Sequence, residues 1–403
     1  MNIRETRRRA AILSAAIGLL LSGGCRRDPR APVKLAAGVD TGSFALDLPH
    51  NRVLYIRGKY PRKTYMSAEP LAGEGKTSSF RVPGYSLSGH VYPLRDGGVL
   101  LTAKTLGNSE EDGTTPSVLK IDVENEKVVA DYSLNGAQIA AFAEPRWLPS
   151  PAAVVQNGSG LVVVPLAPGA RLDRGVVLTA VDAPLVAIDE GFPVVAAAAS
   201  DKMGRGALRL LDARTGRVQT ETGVTAPGYL ASRADGHWLA SMEDEGNRET
   251  LVVDLDRKLG HAAPLFSTPG TVESIVAGKR WLFAVALSTE PHPRDDPRWL
   301  QPRELHRVDL TDAEPPLTLA WTKRKGSLLG LDESGNRLYF AVTDKDSPAV
   351  WSLDASSDSL RAAVAPIDGA WRLSWGLVYA ITLTLLLMGF MIALISTLIN
   401  GTP

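Results

Sequence analysis

The chain has 403 residues, and its 44 Lys and Arg are balanced by 44 Asp and Glu. That neutrality removes the electrostatic footprint on which nucleic-acid binding depends. A single cysteine, Cys25, excludes an intrachain disulfide framework and a thiolate metal site.

The N-terminus reads as an export signal over residues 1–24. Arg4, Arg7, Arg8 and Arg9 form a positive head, and Ala10 to Ser22 form an apolar stretch. As a helix that stretch spans about 20 Å, short of a bilayer core of about 30 Å. Ser22, Gly23 and Gly24 then precede Cys25. The arrangement resembles the lipobox of bacterial lipoproteins, with the usual Leu displaced one place to Leu21. That resemblance implies lipidation of Cys25; ordinary signal-peptidase cleavage and an uncleaved anchor are the alternatives. A short basic linker, 25–33, carries Arg26, Arg27 and Arg30.

Residues 34–366 read as a repeat. One unit is an apolar strand ending in Asp, a turn and another strand. It occurs as VLKIDVENEKVV (Asp122), LRLLDARTGRVQ (Asp212), LVVDLDRKLG (Asp254), LHRVDLTDAEPP (Asp309) and VWSLDASSDSL (Asp354). Weaker equivalents centre on Leu71 and Leu166. The spacing is about 42 to 55 residues, the period of four-stranded propeller blades. A second unit lies upstream of each: a strand, a tight polar turn and an apolar strand. Its copies are ALDLPHNRVLYIRG, YPLRDGGVLLTAK, AAVVQNGSGLVVVPL, VAIDEGFPVVAAA, ASRADGHWLASM, IVAGKRWLFAVAL and LGLDESGNRLYFAV. Two hairpins per unit give four strands. The expected fold is therefore all-β, a seven-bladed β-propeller, with six or eight blades as alternative counts. The pattern resembles WD-repeat and quinoprotein-type propellers, and LDARTGRV is most similar to a quinoprotein-type repeat. The Gly-His and Trp-Asp pairs of WD repeats and the recurrent quinoprotein tryptophan are absent, so the resemblance implies architecture more than activity.

The six histidines, His50, His90, His237, His261, His292 and His306, show no metal-ligand spacing. His50 and His237 fall in first-hairpin turns and read as solvated. No GxSxG elbow, phosphate-binding loop or dinucleotide fingerprint occurs. No cofactor and no enzymatic activity are expected. The acidic stretches 110–113 and 243–246 lack the alternating ligand order of calcium loops and read as hairpin tips. Partner contact is expected from loops joining second and third strands. In blade 1 that loop brings Tyr60, Arg62 and Tyr65. In blade 6 it is an insertion from Thr289 to Glu304 with Arg298 and Trp299. An exposed Trp in a long Pro-rich loop is a candidate hot spot.

After a short linker, 367–372, the run from Leu373 to Ile399 has no charged side chain. As a helix it spans about 40 Å, enough to cross the hydrocarbon with tilt. Trp371, Trp375 and Tyr379 share one helical face near one interface, as an aromatic belt or a docking stripe. Residues 400–403 form the tail. Taken alone, Arg361 and Arg372 place the large domain in the cytoplasm by the positive-inside rule; the export signal, coming first, sets the opposite side.

The reading is a non-catalytic, extracytoplasmic propeller anchored in a bacterial inner membrane by one pass. It would serve as accessory or scaffold subunit to other membrane proteins of a respiratory, photosynthetic or envelope assembly. The partners are the bilayer and membrane subunits, not nucleic acid. The alternatives are a ligand-binding sensor or lectin-like propeller, with its pocket at the channel mouth, and a quinoprotein-like oxidoreductase. A linker of four residues would hold the propeller flat on the membrane.

Overall fold

The computed structural model describes residues 33–360 apart from short stretches, of which 107–115 and 289–302 are the longest. The described strands form seven antiparallel sheets of four. The fold is a seven-bladed β-propeller, as the repeat predicts.

The chain begins with β1 (Val33–Ala37). Blade 1 is β2 (Val39–Asp47), β3 (Arg52–Lys59), β4 (Lys63–Pro70) and β5 (Ser78–Phe80). Blade 2 is β6 (Tyr85–Pro93), β7 (Gly98–Thr105), β8 (Pro116–Asp122) and β9 (Lys127–Ser133). Blade 3 is β10 (Gln138–Ala143), β11 (Ala152–Asn157), β12 (Gly160–Pro165) and β13 (Val176–Val177). Blade 4 is β14 (Leu185–Ile188), β15 (Val194–Ser200), β16 (Arg205–Asp212) and β17 (Val218–Thr225). Blade 5 is β18 (Tyr229–Ser232), β19 (Trp238–Asp244), β20 (Glu249–Leu255) and β21 (Ala262–Thr268). Blade 6 is β22 (Val272–Ala277), β23 (Trp281–Leu287), β24 (Arg303–Asp309) and β25 (Leu317–Thr322). Blade 7 is β26 (Lys325–Asp332), β27 (Arg337–Thr343), β28 (Ala349–Asp354) and, returning from the start of the chain, β1.

The second strand of each blade is apolar on both sides because it is covered on both sides. Alternate side chains point to opposite faces of a strand. Along β7, Val99 and Leu101 enter the cluster shared with blade 1, while Leu100 enters the cluster shared with blade 3. Seven such clusters fill the spaces between successive blades. Counted over the described residues, the smallest joins blade 7 to blade 1, through Ala36, Val53, Tyr55, Ala341 and Val350.

Antiparallel alternation gives the ring two faces. First-to-second and third-to-fourth turns lie on one, here the turn face. Second-to-third loops and blade-to-blade links lie on the other, the loop face.

Two expectations need correction. The fourth strand of blade 7 does not follow Asp354, and the last strand of the ring does not reach Pro366. β28 ends at Asp354, and β1 completes the sheet, with Val33 opposite Ser352 and Ala37 opposite Ala349. Pairing between the two ends of a ring leaves no local sequence signal. In blade 3, AAVVQNGSGLVVVPL is the second and third strand, not the first and second. The true first turn is the eight-residue segment 144–151, whose three prolines hide the hairpin.

No helix among the described residues is long and apolar enough to cross a membrane. The predicted segments 1–24, with Cys25, and 373–399 lie outside the described residues.

Candidate functional site

Of the partner-facing residues expected from sequence, the structure describes Tyr65. It is half-buried near the loop-face end of β4, opposite Arg57. Tyr60, Arg62, Arg298, Trp299, Trp371, Trp375 and Tyr379 lie outside the described residues. The strand ends flanking 60–62 and 289–302 are on the loop face, as expected. The blade 6 insertion ends before Arg303, which already belongs to β24 and pairs with Glu273 at 2.7 Å, nearly buried.

The recurring aspartate serves the fold. Asp212 Oδ1 accepts the N–H groups of Arg214 and Thr215, each at 2.8 Å. Asp122 holds Asn125 N–H, Asp309 holds Thr311 N–H, and Asp354 holds Ser356 N–H. In blades 2, 4 and 6 these Asx turns close the third-to-fourth hairpin, and in blade 7, where no hairpin follows, the Asp354 turn ends β28. Burial alone would raise the pKa of Asp212, but the N–H groups of Thr215 and Arg214 outweigh it and hold the carboxyl below its ordinary range. The residue after the aspartate donates to the carbonyl that precedes the second strand: Ala213 to Pro193, Leu310 to Arg280, Ala355 to Asn336. Leu71 to Asn51 and Leu166 to Pro151 repeat that bond. The two weak copies are therefore true equivalents, with Pro70 and Pro165 in place of Asp. In blade 5 the turn is capped by Asp256, through Lys258 N–H at 3.0 Å. Asp254 instead pairs with Arg233 at 2.5 Å and with His237 Nδ1 at 3.0 Å.

The turn face also carries latches between blades. Glu333 of blade 7 accepts the backbone N–H groups of Lys279, Arg280 and Trp281 in blade 6, at 2.8, 2.5 and 3.0 Å. Arg280 and the buried Arg307 stack on the Trp281 ring at 4.3 and 4.4 Å, and both pair with Glu314. Tyr92 of blade 2 donates to Glu190 of blade 4 at 2.5 Å and accepts Glu144 N–H of blade 3 at 3.1 Å. Arg52 of blade 1 donates to Gly97 O of blade 2. His50 and His237, read from sequence as solvated, are part-exposed but partnered, His50 with Asp47 at 2.7 Å. These contacts are structural: each polar group is consumed by a neighbouring turn.

The loop face offers something different. Between blades 2 and 3 lies a cleft of about 330 Å³, lined on one side by His90, Thr102, Pro116, Ser117 and Val118 and on the other by Leu134, Ala137, Gln138 and Ile139. It is shaped by a bulge. Leu87 pairs with Ala103 and Val91 with Leu101, so three residues of β6 face one residue of β7. Register shifts also occur in the first strands of blades 1, 3, 6 and 7. In blade 2 the bulge turns a histidine into a cleft. Gly89 adopts φ +75°, and a Cβ there would stand 2.5 Å from Thr102 Oγ1. That hydroxyl accepts His90 N–H at 3.2 Å and fixes the bulge. Bulges commonly re-aim a side chain beside a site. The side chain keeps solvent contact, and its partial desolvation lowers the pKa of His90 below the ordinary value. Sequence reading passed over His90, Ser117 and Gln138. The available signal was Gly89 inside an otherwise regular strand.

Among the described residues there is no group of three or more metal-ligating side chains. No family model matches the chain, and no curated protein matches it. Solved structures do. The β-propeller domain of Cps50 (Swd1) from Myceliophteria thermophila aligns over 80% of this chain and 99% of that one, at 12% identity and a TM-score of 0.53. A prolyl endopeptidase aligns over 80% of this chain at 13% identity and a TM-score of 0.56; the alignment spans 49% of its length. At these identities the likeness is one of fold, and it agrees with the ring described above.

Proposed function

We propose that the chain is a membrane-held, extracytoplasmic β-propeller acting as an accessory or scaffold subunit of a larger membrane assembly. The observation that carries this reading is where the ring releases its ends. β1 enters at Val33 and β28 leaves at Asp354, side by side at the rim of blade 7 and on the turn face. Leu360 is still buried in the core between blades 6 and 7. The export-type segment precedes this corner, and the apolar segment 373–399 follows it.

Both anchors would therefore draw one corner toward the bilayer, leaving the loop face free. This changes the tether expected from sequence. Residues 361–372 span up to about 40 Å when extended. The ring is then hinged at blade 7 rather than held flat. A lipid on Cys25 would add Arg26, Arg27 and Arg30 at the headgroups, each contributing about 1 kcal/mol with anionic lipid. The strand ends that flank 60–62 and 289–302 are on the face left for a partner, and the proposal assigns the contact to the residues between them, Tyr60, Arg62, Arg298 and Trp299 among them.

The test is extraction of the full chain from native membranes in mild detergent, after brief amine cross-linking. The expected result is a species larger than the monomer, holding a second membrane protein cross-linked to loop-face residues. Recovery from the soluble fraction, or a strictly monomeric membrane species without cross-links, would overturn the proposal.

A further inference from the structure

We infer that the cleft between blades 2 and 3 binds a small uncharged compound with adjacent hydroxyl groups, of which a single sugar ring is the simplest case.

The cleft has the mixed lining that small-ligand sites use, apolar walls with a few convergent polar groups, and its volume falls at the low end of their range. Its polar groups are Ser117, Gln138 and His90, each able to donate and to accept. Gln138 is exposed at the mouth and Ser117 is buried in the wall, so the groups reach to different depths. Neighbouring hydroxyls of a ring need such paired donors and acceptors. Beside them on both walls, Val118, Leu134 and Ala137 are buried and Ile139 is part-buried, apolar surface for the C–H face of a ring.

Among the described residues that line the cleft, none carries a carboxylate, ammonium or guanidinium group. Lys104, opposite Pro116 in the register, is the nearest charged residue along β7 and has a contact of its own. Against the described lining a charged ligand would lose hydration and gain no counter-charge, which favours a neutral one. Position is held by the bulge: Thr102 and Gly89 set the direction of His90 and are positioning residues, while Ser117, Gln138 and His90 would touch the ligand.

The experiment uses the full chain in lipid nanodiscs, which avoids sugar-based detergents. Saturation-transfer NMR is run with glucose, galactose and N-acetylglucosamine. Glucosamine and glucuronate serve as charged counterparts. At least one neutral sugar should bind in the millimolar range, with charged analogues about tenfold weaker. Gln138→Ala and His90→Ala should each weaken binding about five- to tenfold, the effect of one lost hydrogen bond. Thermal unfolding of both variants should match the parent, because neither side chain lies in a core cluster. Absence of binding by all three neutral sugars up to about 10 mM would overturn the inference. So would equal binding of charged analogues, or full retention of affinity in both variants.

Discussion

Replacing Ala36 by aspartate should destabilise the ring by about 3–5 kcal/mol, the cost of an unpaired buried carboxylate. Ala36 is nearly inaccessible and pairs with Val350 in the sheet that closes the ring. It packs with Val53, Tyr55, Ala341 and Val350, the smallest of the seven apolar clusters. Every other blade takes its four strands from one continuous stretch of chain. Blade 7 is joined to blade 1 by this strand and this cluster, closing a loop of more than 300 residues. The entropic cost of that closure grows slowly with length, but pairing between the two ends must still supply it. The control is Lys34→Ser on the same strand. Lys34 is exposed and lies 5.9 Å from the Trp351 ring, so its loss should cost below about 1 kcal/mol. Urea denaturation of both variants measures the difference. Equal midpoints would mean that β1 does not hold the ring.

The second large effect is acid sensitivity set by His306. Its side chain is 7% exposed on β24 and stacks on Phe266 of blade 5 at 4.8 Å. Nδ1 lies 3.1 Å from Thr318 Oγ1. Among the described residues Nε2 has no hydrogen-bond partner, and a carboxylate oxygen of Glu304 is 3.5 Å away. Burial lowers the imidazole to about 4 from an ordinary 6.5. The unfolded chain therefore takes up a proton below pH 6.5 that the folded chain refuses until about pH 4. Stability is complete above the unfolded value and falls as pH drops through this window, by about 3 kcal/mol in all. His306→Gln keeps a group able to bond Thr318 and cannot titrate. Its unfolding free energy should be flatter by that amount between pH 6.5 and 4. The turn-capping aspartates act at lower pH, because Asp212, Asp309 and Asp354 are held below their ordinary values. An unchanged slope in His306→Gln would show that another group controls the acid limb.

Most of the ring was legible because its signals are local. Apolar second strands, polar three-to-five-residue turns before most of them and the aspartate that ends the third strand recur at blade spacing. They give seven units without knowledge of any contact. What failed to read was non-local or displaced. Closure by β1 depends on residues more than 300 positions apart. The first hairpin of blade 3 is hidden behind 144–151, while Asn157-Gly158 gives a stronger turn signal one hairpin later. Asp254 matched the repeat by composition, yet its partner across the strand is Leu239. The repeat position pairs with the first residue of the second strand, as Asp309 does with Trp281. The aspartates marked the repeat correctly, and the structure gives them a turn-closing role.

The cleft was illegible for a similar reason. Ser117 and Gln138 are ordinary strand residues in sequence, and only packing of blade 2 against blade 3 brings them to His90. The glycine that permits the bulge was visible, but a strand glycine does not say which neighbour it re-aims. The loops singled out from sequence and the cleft share one face, since both follow from where second strands end and third strands begin.

Thiol labelling tests the proposed placement most directly. Phe192 is exposed on the turn face of blade 4, and Phe192→Cys adds one accessible thiol there. A membrane-impermeant maleimide is applied to spheroplasts with intact inner membranes, and again after lysis, with the parent chain as background for Cys25. The proposed placement predicts full labelling of Phe192→Cys before lysis, in protein that stays with the membrane fraction. Labelling only after lysis would contradict it and put the propeller in the cytoplasm, on the side that Arg361 and Arg372 favour.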